Sequence, residues 1–149
     1  PVIGAGGIAD GRGMAAAFMR GAQGVQIGTR FVASQEGQVH ENYKNYIVKA
    51  KNIDSKVTGR SNGHPVRALR NQMTKTYLEK EQAGVPFEEL ELLTLGSLRK
   101  AVVEGDVVNG SVMAGQSAAM IHDILPCKEI IEKLIAQAET VMKGMGNHE

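Results

Sequence analysis

The stretch that decides the fold is PVIGAGGIADG, residues 1–11. Val2 and Ile3 form a short apolar run bounded by glycine, which is typical of a strand covered on both faces. Asp10 is a good N-cap residue, so the pattern predicts a helix over residues 12–20. The glycines between strand and helix leave backbone N–H groups that no side chain shields. Such groups attract anions, phosphate above all.

A second strand and glycine turn follow this first unit. The sequence predicts a strand over residues 24–27, an exit turn at 28–30 and the opening of a helix at 31–34. Two parallel strands joined by a helix form a right-handed βαβ unit. In a (β/α) barrel, a phosphate commonly sits on the turns after the last two strands. The turns at Gly6–Gly7 and Gly28–Thr29 correspond to those two positions.

Helical spacing of apolar residues recurs through the rest of the chain. In the first of these segments Tyr43 and Ile47 are expected to face the core and Lys44 to lie on the other face. The last segment begins with Cys127, which we interpret as a small buried residue rather than a reactive thiol. The predicted helices cover residues 41–51, 72–83, 86–93, 97–104 and 126–145, Gly144 and Gly146 end the last one, and residues 56–58 form one possible strand.

Two further stretches concentrate polar or functional residue types. Residues 63–71, GHPVRALRN, could contact a nicotinamide cofactor's phosphate or an acyl carrier protein, because arginine donates two hydrogen bonds in a planar fork. The pattern alone favours a structural turn with solvated arginines. In residues 107–116, VVNGSVMAGQ, Ser111 is expected to cap a helix that carries Met113, Gly115 and Gln116 in its first turns. Taken alone, this is an ordinary capped core helix.

The length, net charge and cysteine content of the chain limit the kinds of protein to which it can belong. The chain has 149 residues, which is enough for one domain with a sizeable core. Its formal net charge of +1 does not indicate a nucleic-acid or membrane-surface partner. The single cysteine cannot form an internal disulfide, which fits a reducing, cytoplasmic location. The chain opens at Pro1 directly into a strand, so we expect it to be a fragment of a longer protein.

Four runs together resemble the flavin-dependent enoyl-acyl carrier protein reductases of bacterial fatty-acid synthesis, close relatives of the nitronate monooxygenases. They are PVIGAGGIADG, GAQGVQIGTRF, GHPVRALRNQ and GDVVNGSVMAGQSA, and they follow the family's order over nearly the whole chain. The resemblance covers the second half of that family's barrel, beginning at its seventh strand. It implies an α/β fold: the C-terminal part of a (β/α)8 TIM barrel, contributing its last two strands, with a mainly helical smaller domain.

The same resemblance implies three regions. Residues 1–35 would carry the seventh and eighth barrel strands with the phosphate-binding turns. Residues 36–106 would form the mainly helical region that covers flavin and substrate. Residues 107–149 would hold a flavin-proximal turn and the C-terminal helices that pack on the barrel.

FMN is the cofactor that the resemblance implies, with NAD(P)H as co-substrate. The glycine turns and Thr29 would hold the FMN phosphate, while Met113, Gly115 and Gln116 would lie by the ring. The family's catalytic histidine belongs to an earlier part of its barrel, so no catalytic residue is assigned here, and no metal-ligand spacing is evident. The implied cofactor-binding residues are Ala5, Gly6, Gly7, Gln26, Gly28, Thr29, Met113, Gly115 and Gln116.

The implied reaction is reduction of a trans-2-enoyl thioester, with an acyl carrier protein or acyl thioester as partner. A homodimer and the missing N-terminal half of the barrel are further expected partners. Three alternatives stay open: an FMN-dependent nitronate monooxygenase, a flavin-free nucleotide-phosphate barrel similar to inosine-monophosphate dehydrogenase, and an inactive fragment that only binds phosphate or a partner chain.

Overall fold

A computed structural model describes residues 1–145 and begins with the predicted strand–helix–strand unit. Strand β1 (Ile3–Ala5) and strand β2 (Gly24–Gln26) pair in parallel, with Ala5 opposite Gln26, and helix α1 (Gly11–Met19) connects them. The Asp10 side chain accepts a hydrogen bond from Gly13 N at 3.0 Å and caps α1. The predicted order of elements in this unit is therefore confirmed.

The remaining elements form a short hairpin and several helices. In chain order they are α2 (Thr29–Val32), α3 (Glu41–Val48), β3 (Ser55–Thr58), β4 (Val66–Leu69), α4 (Gln72–Gln82), α5 (Phe87–Thr94), α6 (Ser97–Val102), a 3-10 turn (Ala118–Met120) and α7 (Cys127–Met145). The predicted helices over residues 41–51, 72–83, 86–93, 97–104 and 126–145 are each present, with bounds that are shorter or shifted by one residue. Gly146, a predicted end of the last helix, and the final residues of the 107–149 region lie outside the described residues.

Residues 63–71 do not form the single turn that the sequence favours. Four of these nine residues, Val66–Leu69, form β4, which pairs antiparallel with β3. Gly59 and Gly63 adopt positive φ values of +74° and +80°, and His64 N donates to Gly59 O, so the reversal lies just before β4. Asn71 caps α4 through a reciprocal pair of hydrogen bonds with Thr74.

No helix begins at Ser111, contrary to the sequence-based expectation. Residues 111–115 have no regular secondary structure apart from Met113, which forms an antiparallel bridge with Ala68 of β4, and Gln116 begins a turn. Leu69 N donates to Val112 O at 2.9 Å. The neighbouring hairpin thus supplies the backbone partner that a helical turn would otherwise provide, and this pairing overrides the local capping signal.

Two cores hold these elements together. Helices α1 and α7 pack so closely that a Cβ on Gly11 would lie 2.5 Å from Leu134 O, so this crossing requires glycine. The second core surrounds Tyr43 and Ile47, as predicted. Lys44 was expected on the opposite face but is only 3% exposed, because its ammonium group donates to Gln35 O at 3.2 Å. Within residues 1–145, each helix is too short or too polar to cross a lipid bilayer.

Strand β1 is not covered on both faces. Val2 and Ile3 are 67% and 53% exposed, whereas the sequence pattern predicts a buried strand. The reason is the small sheet: in the described part of the chain, β1 pairs only with β2. A strand edge and its apolar side chains are thereby left open to solvent.

Candidate cofactor site

The two glycine turns lie side by side at the carboxyl ends of β1 and β2. Gly6 and Gly7 have φ values of +87° and +73°, a conformation that side chains other than glycine rarely adopt. A Cβ built on Gly6 or on Gly28 would meet nothing within 4 Å, so the space above both turns is open. The strand register places Ala5 beside Gln26, and both are exposed next to this opening. The turns therefore form a shallow cradle accessible to an anion.

The N-terminus of α1 is not available to bind an anion, because the Asp10 side chain already caps it. The Asp10 carboxylate accepts from Gly13 N and also pairs with Arg12. Burial raises the pKa of Asp10, but the hydrogen bonds from Gly13 and Arg12 outweigh that effect and hold the pKa below its usual value. A bound phosphate would therefore depend on the loop N–H groups rather than on the first turn of α1.

Thr29 connects the second glycine turn to a segment far away in the sequence. Its Oγ1 accepts a hydrogen bond from Gly115 N at 2.9 Å. A Cβ on Gly115 would lie 3.4 Å from the same oxygen, so glycine at this position lets its backbone N–H reach Thr29 without a close side-chain contact. Because the oxygen acts as acceptor, the hydroxyl proton of Thr29 is available to donate to a phosphate oxygen.

Gln116 lies over the first glycine turn. Its Nε2 is 3.8 Å from the position that a Cβ on Gly7 would occupy, and its side chain is exposed. The structure thus brings Gly7, Thr29, Gly115 and Gln116 into one cluster. Met113 is the exception among the sequence-predicted residues, since it borders a separate cavity beside β4.

Tyr43 fixes the segment that carries these residues. Its hydroxyl donates to Met113 O at 2.8 Å, and the side chain is 3% exposed. Burial raises the pKa of Tyr43 to about 12, so the hydroxyl stays protonated and donating throughout the neutral range. Sequence analysis assigned Tyr43 to the core but missed this polar role.

Arg30 and Asp123 are functional candidates that sequence analysis missed. The Arg30 guanidinium is 7% exposed, donates to Asp123 O at 2.9 Å and forms an ion pair with the Asp123 carboxylate. Arg30 directly follows Thr29 and anchors the second glycine turn to the segment just before α7. The available signal was a lone charge between Ile27 and Phe31, in an otherwise apolar run.

We expect Arg30→Met to destabilise the protein and to weaken flavin binding together. The substitution removes the donor to the backbone carbonyls of Ala33 and Asp123, which costs about 1–3 kcal/mol. Thermal unfolding and flavin titration measure the two effects. Arg12→Met is the matched control, because the Arg12 side chain is 67% exposed and its pairing with Asp10 contributes little. Equal melting temperatures for both variants would contradict the anchoring role.

Gln116→Leu tests whether this amide contacts the flavin ring. Loss of one hydrogen bond is expected to weaken FMN binding by about 0.5–1.5 kcal/mol and to shift the visible absorption spectrum. Gln82→Leu, at the exposed end of α4, serves as the control for a change of amide to alkyl. A spectrum and FMN affinity equal to those of the wild type would show that Gln116 does not contact the flavin ring.

Comparisons with known proteins place this geometry in a family. FabK from Thermotoga maritima shares 50% identity and a TM-score of 0.94, and the match covers 100% of this chain and 47% of FabK. Nitroalkane oxidase from Streptomyces ansochromogenes matches at 27% identity and a TM-score of 0.77, over 97% of this chain and 41% of that protein. These likenesses confirm a mixed α/β structure.

The curated relatives that match the chain include proteins described as probable nitronate monooxygenases. A probable nitronate monooxygenase from Staphylococcus saprophyticus is 32% identical over 142 residues, which is 95% of this chain and 40% of the relative. The chain thus spans less than half the length of the relatives it matches. A family model described as nitronate monooxygenase matches residues 1–137. The resemblance to this superfamily is confirmed, and the chain belongs to the nitronate monooxygenase family.

Proposed function

We propose that the chain supplies the FMN-binding second half of a (β/α)8 barrel oxidoreductase. The observation that carries the proposal is the cradle of Gly6, Gly7 and Gly28, which lies at the ends of two parallel strands and is open above Gly6 and Gly28 where a Cβ would stand. The hydroxyl of Thr29 and the amide of Gln116 border the same space. These groups fit a ligand with a phosphate at one end and a polar ring at the other.

Each residue of the cluster has a role in this proposal. The N–H groups of Gly6–Gly7 and Gly28–Thr29 hold the phosphate, with Ala5 and Gln26 flanking it. The Gln116 amide can both donate to and accept from a ring edge. Met113, outside this cluster, is proposed to supply an adaptable apolar wall by the flavin ring. When bound, FMN would carry a hydride from NAD(P)H to the substrate, and the protein holds and orients it.

For the complete protein we propose NAD(P)H-dependent reduction of a trans-2-enoyl thioester. Two observations support this choice. The four sequence runs resemble the enoyl-acyl carrier protein reductases in the family's order. Identity to FabK is 50%, compared with 32% to the nitronate monooxygenase of S. saprophyticus. An acyl carrier protein or acyl thioester is then the substrate, and the complete enzyme is a cytoplasmic homodimer.

A nitronate monooxygenase is the second candidate. The match to that family over residues 1–137 and the curated relatives favour it. It would use the same cofactor cradle, so the cradle itself does not separate the two reactions. A flavin-free phosphate-binding barrel is a weaker alternative, and a colourless purified full-length protein would favour it.

The regions keep the roles proposed from the sequence. Residues 1–35 supply barrel strands and phosphate turns, residues 36–106 cover the flavin, and residues 107–149 contribute the flavin-proximal segment and the packing helix. Alone, the chain lacks the other strands of such a barrel and is proposed to be inactive.

Turnover of the full-length protein separates the two reactions. We expect NADPH or NADH to be oxidised when crotonyl thioester is present and oxygen is absent. The parallel assay supplies propyl nitronate with oxygen and no pyridine nucleotide. Nitronate consumption without any thioester reduction would overturn the reductase assignment in favour of the monooxygenase.

A further inference from the structure

A cavity of about 260 Å³ lies apart from the cofactor cradle, between the β3–β4 hairpin and helices α4, α5 and α6. The side chains of Thr58, Val66 and Ala68, which share one face of the hairpin, line it. The opposite face of the same hairpin carries Val57 and Arg67. The cavity is thus built mainly by the smaller region, with Ser111 and Met113 contributed by the segment that follows it, and was not predicted from the sequence.

Several polar side chains at the inner end of this cavity are engaged in hydrogen bonds within the chain. Ser97 Oγ donates to Thr94 O at 2.7 Å, and the Ser97 and Ser111 hydroxyls are themselves 2.7 Å apart. The Tyr77 hydroxyl accepts from Asn62 Nδ2 at 3.1 Å. Throughout residues 1–145, every buried side-chain nitrogen or oxygen has a partner. A ligand at this end therefore meets few unpartnered polar atoms and gains mainly by burying apolar surface.

The outer end is a ring of large apolar side chains at intermediate exposure. Val66, Phe87, Leu98 and Met113 are each between 38% and 40% exposed, and all four line the cavity. His64 stacks on Phe87 with ring centroids 5.3 Å apart, which braces that side of the opening. Met113 lies two residues before Gly115, so the opening is adjacent in the chain to the cofactor cluster.

We propose that this cavity binds the alkyl tail of the acyl thioester, and that Ala68 and Leu98 help to determine the chain length accepted. The inference rests on the proposed reductase function. The volume corresponds to roughly nine groups the size of a water molecule, which suits a medium-length alkyl chain. A short alkyl nitronate would leave most of the cavity unfilled.

Binding of decanoyl-N-acetylcysteamine to the flavin-loaded full-length protein tests the proposal without requiring turnover. Leu98→Asp places a carboxylate at the opening and is expected to weaken binding by about tenfold or more, because each buried methylene strengthens binding roughly fourfold. Leu95→Asp is the matched control, since Leu95 is 76% exposed and does not line the cavity. Butyryl-N-acetylcysteamine should bind both variants and the wild type equally.

A second variant fills part of the cavity instead of placing a charge at its opening. Ala68→Leu fills the space next to Met113 and should also weaken decanoyl binding, whereas Val57→Leu on the opposite face of the hairpin should not. Equal decanoyl affinity in Leu98→Asp and Leu95→Asp, or absence of any decanoyl preference in the wild type, would overturn the proposal. Chain-length-dependent binding without thioester reduction would instead reject the proposed reaction and retain the cavity assignment.

Discussion

Gly7→Val is expected to leave the full-length protein without bound flavin. The Gly7 backbone has a φ of +73°, so any L side chain there is strained by about 1–2 kcal/mol. The new side chain would also point toward Gln116, whose Nε2 is 3.8 Å from the Cβ position, and would cover the N–H groups that we propose hold the phosphate. Flavin content after purification, read from visible absorption per mole of protein, measures the loss.

A substitution at a second glycine separates the effect of backbone strain from the loss of flavin binding. Gly84 has a φ of +75° and, like Gly6, nothing within 4 Å of a Cβ, but it lies between α4 and α5. Gly84→Val therefore imposes the same strain far along the chain from the cradle. We expect both variants to lose similar stability and only Gly7→Val to lose flavin. Full flavin content in Gly7→Val would show that the phosphate does not sit on this turn.

The parts of the structure that depend on local chemistry could be predicted from the sequence. The Asp10 cap, the glycine turns and the helical apolar face of Ile130, Leu134 and Ala138 each follow from a signal within a few residues. Proximity of Gly7 to Thr29 also follows, because adjacent parallel strands place their exit turns together. These features identify the cradle without any knowledge of the rest of the fold.

The errors occur where distant partners replace local ones. Ser111 has the character of a helix cap, but the backbone after it pairs with β4, so no helix forms there. Lys44 is buried because Gln35 O and Glu41 are within reach of its ammonium group. The link between Arg30 and Asp123 spans 93 positions in the chain. No periodicity within a single helix or strand encodes such pairings.

The open two-stranded sheet predicts that the isolated chain is inactive. Purified residues 1–149, supplied with FMN, NAD(P)H and crotonyl thioester, are expected to show no reductase turnover. In the described part of the chain, β1 and β2 form a sheet of two parallel strands, and a barrel removes its strand edges only by closing. Two strands cannot surround a flavin, and the family resemblance implies that the catalytic histidine belongs to an earlier part of the barrel.

The same open surface predicts association of the isolated chain. A groove of about 180 Å³ is lined by apolar side chains of α1, β2 and α7, among them Val25, Ile131 and Ile135. Exposed apolar surface of this kind promotes self-association. Sedimentation analysis should therefore detect species larger than a monomer.

Variants and a partner fragment distinguish the causes of inactivity. Replacing Ile131 and Ile135 with lysine is expected to reduce association, since both side chains are more than 40% exposed, but not to restore turnover. Mixing the unmodified chain with the N-terminal half of the barrel should produce a complex that retains flavin and reduces crotonyl thioester. A monomeric isolated chain with measurable turnover would contradict the half-barrel proposal, because a single copy would then contain a complete site.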